Sequence, residues 1–208
     1  MGRDVGRAAD GVGVSVLASL AESLRAHTMW LIKRWDEQAT GWVQAKTGLL
    51  TPDAADFERL RVRPYATSEV VGNLVTTAGW TRASNLLTNQ GATQALTATA
   101  TRIGAGNGGG TAAAGDTDLS AAAGSANRWF QAVSGAGTVS TNTLAFSATF
   151  GTADGNFAWN EFGIDVGTPT VTSGNTVNAL LYNHKTSIAQ GTKASGQTWA
   201  VTATFTYT

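Results

Sequence analysis

The 208-residue chain carries 14 Lys and Arg against 14 Asp and Glu, has no Cys, and is 42% hydrophobic. Balanced charge removes the usual electrostatic case for a nucleic-acid partner or an anionic membrane surface. The apolar content is too high for a disordered protein, and the missing cysteines exclude a disulfide framework or a thiolate metal site. One β domain with an appendage, or two small domains, fits this length.

Charge is unevenly spread: residues 1–64 hold 9 Lys/Arg and 8 Asp/Glu, and residues 65–208 hold 5 and 6. We therefore divide the chain into a helical N-terminal anchoring or oligomerisation segment, 1–64, and an antiparallel β domain, 65–208. Val12 to Ala21 imitates a signal-peptide core with Ser19-Leu20-Ala21 as a small-residue cleavage site, but Asp4 and Asp10 spoil the basic region such a signal needs. No stretch reaches the ~18–20 apolar residues that span a bilayer, so a soluble chain is expected.

Leu17, Leu20, Leu24, His27 and Leu31 follow a 3-4-3-4 spacing that Trp35 and Trp42 nearly continue, which predicts a helix from about Gly13 to Lys46. Its apolar stripe packs either on its own domain or on a symmetry mate. Thr51-Pro52 followed by Asp53 and Asp56 predicts a second, capped helix ending near Leu60, with acids at its positive end. Val70 to Leu87 is ambiguous: Val71, Leu74 and Val75 suit a helix turn and Gly79 breaks it.

Further on, alternation takes over. Thr97, Thr99 and Thr101 lie opposite Leu96, Ala98 and Ala100; Leu144, Phe146, Ala148 and Phe150 share a face. Trp199, Val201, Ala203, Phe205 and Tyr207 face one way, with Thr198, Thr202, Thr204, Thr206 and Thr208 opposite. This is the period of half-buried strands, and it makes Leu144, Phe146, Phe150, Trp199, Val201 and Phe205 the expected β core. Further strands are expected at Trp129–Ser134, Ala158–Val166 and Val177–His184, separated by turns at Gly135-Ala136-Gly137, Ala153-Asp154-Gly155 and Ser173-Gly174-Asn175. The fold class expected is mainly β, an antiparallel β-sandwich or jelly-roll-like domain, with a helical N-terminal segment.

Candidate chemistry is sparse. Gly104-Ala105-Gly106-Asn107-Gly108-Gly109 matches the dinucleotide fingerprint, but no helix opens after it to hold a pyrophosphate, and Asp116 and Asp118 come too early for the acid about 20 residues on. A glycine-rich loop is the reading. Asp116 and Asp118 could offer oxygen ligands to a hard cation but lack the further acids of a calcium loop, so a solvated turn is expected. Glu161 and Asp165, four apart, share a strand face; such a pair could do acid/base work on a glycan, although a hydrogen-bonded Glu161 suits the context better. His27 and His184 form no ligand or nucleophile motif. Trp80, Trp129, Trp159 and Trp199 could stack on sugars but sit in apolar contexts that favour core or interface packing. Catalytic, cofactor and metal residues are thus expected to be absent.

Six segments carry a resemblance: Gly72-Asn73-Leu74-Val75, Ala78-Gly79-Trp80-Thr81-Arg82, Arg102-Ile103-Gly104-Ala105-Gly106, Asp116-Thr117-Asp118-Leu119, Trp159-Asn160-Glu161-Phe162-Gly163-Ile164, and Gly191 to Trp199. Residues 70–208 thereby resemble a β domain of tailed-phage virion proteins described as head decoration proteins, minor tail proteins or tail fibres. The resemblance implies a structural bacteriophage protein on the virion surface, not an enzyme, without cofactor, assembling as a homo-oligomer, a trimer favoured, with capsid or tail subunits as partners. Capsid decoration is the leading expectation, because no repetitive fibre shaft is visible. The alternative is a tail fibre or baseplate component contacting a host-surface glycan, and a glycan-degrading enzyme comes third. No nucleic acid and no membrane are expected as partners. Leu17, Leu20, Leu24, Leu31, Trp35 and Trp42 are the candidates for anchoring.

Overall fold

The structure is a computed structural model, and it describes residues 26–90, 95–167, 170–172, 175–177 and 180–207. Twelve strands and three helices run in the order β1 (Ala26–Trp35), α1 (Glu37–Thr47), α2 (Ala54–Arg59), β2 (Ala66–Val71), β3 (Leu74–Val75), α3 (Thr77–Leu87), β4 (Thr101–Gly106), β5 (Arg128–Ala132), β6 (Thr138–Ser140), β7 (Thr143–Phe150), β8 (Glu161–Val166), β9 (Thr170–Thr172), β10 (Asn175–Val177), β11 (Leu181–Thr186) and β12 (Thr198–Tyr207). Two five-stranded antiparallel sheets form, ordered β2-β1-β12-β7-β6 and β3-β11-β8-β4-β5, and β9 and β10 make a separate hairpin. The mainly β, sandwich-like class expected from the sequence is what the chain adopts.

Period-2 alternation supplies the core. Trp30 and Ile32 of β1, Phe146, Ala148 and Phe150 of β7, and Trp199, Val201, Ala203 and Phe205 of β12 face inward from the first sheet. Ile103, Ala105, Phe162, Ile164, Val166 and Tyr182 meet them from the second. Trp30 stacks on Phe162 at 5.1 Å between ring centroids, and Trp159 makes edge contacts with Phe150, Phe162 and Trp199 at 4.6, 5.7 and 4.8 Å. Of the expected core residues, Phe146, Phe150, Trp199, Val201 and Phe205 are buried, and Leu144 packs half-buried at the margin. Thr198, expected on the outer face, is buried as well.

The expected helix from Gly13 to Lys46 needs correction. Of its described part, Ala26–Trp35 is a strand, paired in register with both β12 and β2, and Glu37–Thr47 is helical; residues 13–25 lie outside the described residues. The division at residue 64 is crossed by this pairing, since β1 lies inside the first sheet. Asp36 ends the strand and caps α1, its carboxylate accepting from the Ala39 N–H at 2.8 Å; Gly48 closes the helix with φ 72°. The second expected helix is present as α2, with a reciprocal capping box between Asp53 and Asp56.

These two helices cover one end of the first sheet's outer face. Trp35 points outward there, stacks on Phe57 at 4.3 Å, donates from Nε1 to the Val62 carbonyl at 3.0 Å, and shares a small second core with Val43 and Ala200.

Two other expectations change. Leu96–Ala100 is not strand: residues 98–100 form a turn, and β4 begins at Thr101. Gly79 does not break the helix but lets it dock. A Cβ there would lie 2.1 Å from the Tyr182 carbonyl oxygen, so α3 can approach β11 only with glycine at that position. Thr76 caps α3 by accepting from Gly79 N–H and donates its own hydroxyl to the Leu181 carbonyl at 2.6 Å.

Phe205 faces the middle of the sandwich, in edge contact with Phe146 and Tyr182. Phe205→Ala is expected to cost about 3–5 kcal/mol of folding free energy, measured by urea unfolding.

Candidate functional site

The outer face of the second sheet carries the chain's densest chemistry. Inward Phe162, Ile164 and Val166 turn Glu161, Gly163 and Asp165 outward, and β4 pairs against them in register: Gly106 with Glu161, Gly104 with Gly163, Arg102 with Asp165. The middle rung has no side chains and forms a hollow. Phe130 of β5, Leu181 of β11 and Leu119 from the loop after β4 fill it as a separate buried cluster. A Cβ on Gly104 would meet the Phe130 ring at 2.5 Å; one on Gly163 would meet Leu181 at 2.7 Å and Leu119 at 3.1 Å.

The glycine run expected to be a loop is therefore half strand. Gly104 and Gly106 lie in β4 and are buried, and a Cβ on Gly106 or Gly108 would fall 2.4 Å from Glu161 Oε1. Gly106 and Gly108 make room for the Glu161 side chain.

Glu161 is fully buried and fully bonded. Oε1 accepts the N–H groups of Ala121 at 2.7 Å and Gly108 at 3.2 Å; Oε2 accepts the Ser120 N–H at 2.8 Å and meets His184 Nε2 at 2.7 Å. His184, 1% exposed, places its other nitrogen, Nδ1, 2.6 Å from Asp116 Oδ2. An imidazole bonded to a carboxylate on both sides is held as the cation, because only the imidazolium can donate twice.

Burial opposes charge on all three groups, but the bonds prevail. Desolvation alone would lower His184, yet hydrogen bonds and charge from Glu161 and Asp116 raise it above the ordinary histidine value. Desolvation would raise Glu161, yet His184 and the Ser120 and Ala121 N–H groups hold it below the usual carboxylate range. Asp116 is likewise lowered against its desolvation, by the Ala113 N–H and by His184.

Two further ion pairs flank this cluster. Arg102 and Asp165 pair across the strands, both buried, and burial lowers the guanidinium to about 10. Asp118 accepts from Arg128 at 2.5 Å, and Arg128 lies over the Phe130 ring. Asp116 and Asp118, expected in a solvated turn, instead tie the 107–127 loop to the sheet. Glu161 is hydrogen-bonded, as its context indicated. His184, Arg102 and Arg128 went unrecognised, because their partners lie elsewhere in sequence; the glycines at 104 and 106 were the one local signal, since strand glycine marks close approach.

The anchoring candidates scatter. Leu17, Leu20 and Leu24 lie outside the described residues. Leu31 is half-buried on the first sheet's outer face, and Trp35 is consumed by the small core beneath α1 and α2. Trp42 is 45% exposed and borders a shallow depression of about 420 Å³ with Asp36, Leu60 and Val62. Leu49 and Leu50, at the end of α1, are exposed at 45% and 86%. Among the tryptophans, Trp159 and Trp199 are core, Trp129 is half-buried and Trp80 is 40% exposed. Among the described residues no three His, Cys, Asp or Glu side chains are grouped to hold a metal, and no helix is long and apolar enough to cross a membrane.

Comparison with protein-family models, curated proteins and solved structures gave no match to this chain.

The cluster's pH dependence follows from its shifts. The lowered carboxylates Glu161 and Asp116 contribute stability above their unfolded values and lose it as pH falls through their folded ones; the raised His184 contributes fully below about 6.5 and loses it as pH rises through its folded value. The stability gap between the wild type and His184→Gln should therefore be widest between about pH 5 and 6.5 and narrow on either side, checked by urea unfolding across pH. Gly106→Ala should destabilise by about 1–3 kcal/mol at any pH, because its Cβ must displace the Glu161 carboxylate.

Proposed function

We propose that this protein is a non-enzymatic structural subunit of a tailed-phage virion, in the first instance a capsid decoration protein. The observation that carries the reading is a set of large apolar side chains exposed on and just after α1. Trp42 within α1 and Leu49 and Leu50 beyond its end stand exposed, on a sandwich whose other aromatic residues are largely spent on its core. An exposed set of this kind needs a partner subunit.

Two features support a structural role. Five of the six segments that carry the resemblance lie on the second sheet or against it: Arg102–Gly106, Asp116–Leu119 and Trp159–Ile164 build the closed cluster, Gly72–Val75 reaches β11 through β3, and Ala78–Arg82 docks on Tyr182. The acids that a glycan hydrolase reading would use are spent, Glu161 on four bonds and Asp165 on Arg102. Neither is positioned to take a proton from a sugar or water.

The tail-fibre or baseplate alternative has an observation of its own. Beside α2, Asp53, Ser134 and Thr149 border two adjoining depressions of about 260 and 270 Å³, lined further by Ser147, Thr202, Gln131 and Asp154. Such a row of hydroxyl, amide and carboxylate groups suits a host-surface glycan.

Copy number separates the two placements. Quantitative mass spectrometry of purified particles of the phage that encodes the chain should find hundreds of copies for a capsid lattice; a few dozen or fewer would place it on the tail or a vertex, and absence from the particle would refute the virion reading. Trp42→Ser combined with Leu50→Ser should leave the thermal unfolding of the isolated protein within a few degrees of wild type and reduce incorporation into particles lacking the native protein by about tenfold or more, the loss of roughly 1.4 kcal/mol of interface energy. Undiminished incorporation would move the anchoring surface elsewhere.

A further inference from the structure

Lys193 has no exposed surface, and no carboxylate lies within ion-pair distance of its ammonium group among the described contacts. Nζ instead donates to the Gly151 carbonyl at 2.7 Å and to the side-chain oxygen of Asn156, Oδ1, at 2.8 Å. Burying a lysine against neutral acceptors is costly, and a fold that only needed to close the 151–157 turn could do so with an apolar or hydroxyl side chain. The arrangement does, however, bring an amine against a carboxamide inside a folded protein.

We propose that Lys193 and Asn156 become joined by an isopeptide bond that forms within the folded chain without another enzyme. Backbone pairing holds the two residues side by side. Lys193 N–H donates to the Phe157 carbonyl at 3.1 Å, and Thr192 bridges Ala158, so the amine and amide are fixed on adjacent loop segments across 37 residues of sequence. Such fixing supplies the large effective concentration that an amide exchange needs. Asn156 is oriented as well, its Nδ2 donating to the Thr152 carbonyl at 2.9 Å, which leaves the carbonyl side turned to Lys193.

Burial also readies the nucleophile. Desolvation lowers Lys193 to about 8, against the opposing pull of Asp154, so a useful fraction is the neutral amine near physiological pH. Asp154 is held in the same turn, Oδ2 accepting the Gly151 N–H at 3.0 Å. In the reaction the Nζ lone pair attacks Cγ of Asn156. The new C–N bond forms, the Cγ–Nδ2 bond breaks, one proton passes from Nζ to the departing nitrogen within the tetrahedral adduct, and ammonia leaves. One amine and one amide give one amide and ammonia, with no oxidant, metal or cofactor. In a chain without cysteine, the product is a covalent clasp closing the segment between the two residues.

The test is the intact mass of the purified full-length protein, followed by a tryptic map. The expected result is a mass lower than the sequence mass by one ammonia, no tryptic cleavage after Lys193, and a branched peptide joining Lys193 to the peptide that holds Asn156. Lys193→Met and Asn156→Ala should each restore the full mass of their sequence. A wild-type protein at its full sequence mass, with Lys193 and Asn156 in separate peptides, overturns the proposal. So does an ammonia loss that persists in Asn156→Ala, which would place it at another residue. Neither outcome bears on where the protein assembles, so this proposal and the virion reading stand or fall separately.

Discussion

The Glu161 carboxylate is the constraint around which the second sheet is organised. A charge buried on a sheet face is unfavourable unless every lone pair finds a donor, and here three backbone N–H groups and the His184 imidazole supply them. Those N–H groups belong to the loop that follows β4. Satisfying the charge therefore also pins the loop across the sheet, seats Leu119 in the glycine hollow and brings Asp116 to His184. Gly104, Gly106, Gly108 and Gly163 are glycine for this reason, since a methyl at any of them would collide with the carboxylate or with the apolar plug beside it. The face that looks richest in chemistry is in this way turned to holding the fold.

The first sheet was the part most legible in the sequence. β7 and β12 each have one face in the aromatic core and one face carrying Thr, Ser and small residues, so their alternation survives undisturbed. β1 obscured its period because it carries large apolar residues on both faces. Trp30 and Ile32 enter the sandwich, and Trp35 enters the small core under α1 and α2. Leu31 and Trp35 then fell four apart, the spacing of a helix face, and the residues before them extended the same stripe. A strand with apolar residues on both faces reads as a helix when only spacing is available.

The cluster on the second sheet was legible only in fragments. Glu161 and Asp165 could be placed on one face of one strand, and the glycine run could be seen, but Asp116 and His184 are 68 residues apart and Glu161 and His184 are 23 apart. No local pattern encodes such a meeting. It depends on register, above all on Gly106 lying opposite Glu161 and on the irregularity in β11 between Leu181 and Asn183, past which His184 returns to the outer face.

The pairing of β1 with β12 bears on how the chain comes to be folded during synthesis. β1 is made early and meets β2 soon afterwards, but its other edge waits for Thr198–Tyr207, and β7 waits for the same strand. Until those residues leave the ribosome, Phe146 lacks the Phe205 ring and Trp159 lacks the Trp199 ring, and two strand edges stand open. Closure across so long a loop is entropically slow, so the sandwich is completed only once β12 is available. A nascent chain held in that state can have its gap filled by the matching strand of a neighbour. At high local synthesis rates, crowding on the polysome would therefore favour strand-exchanged dimers as the first misassembled product.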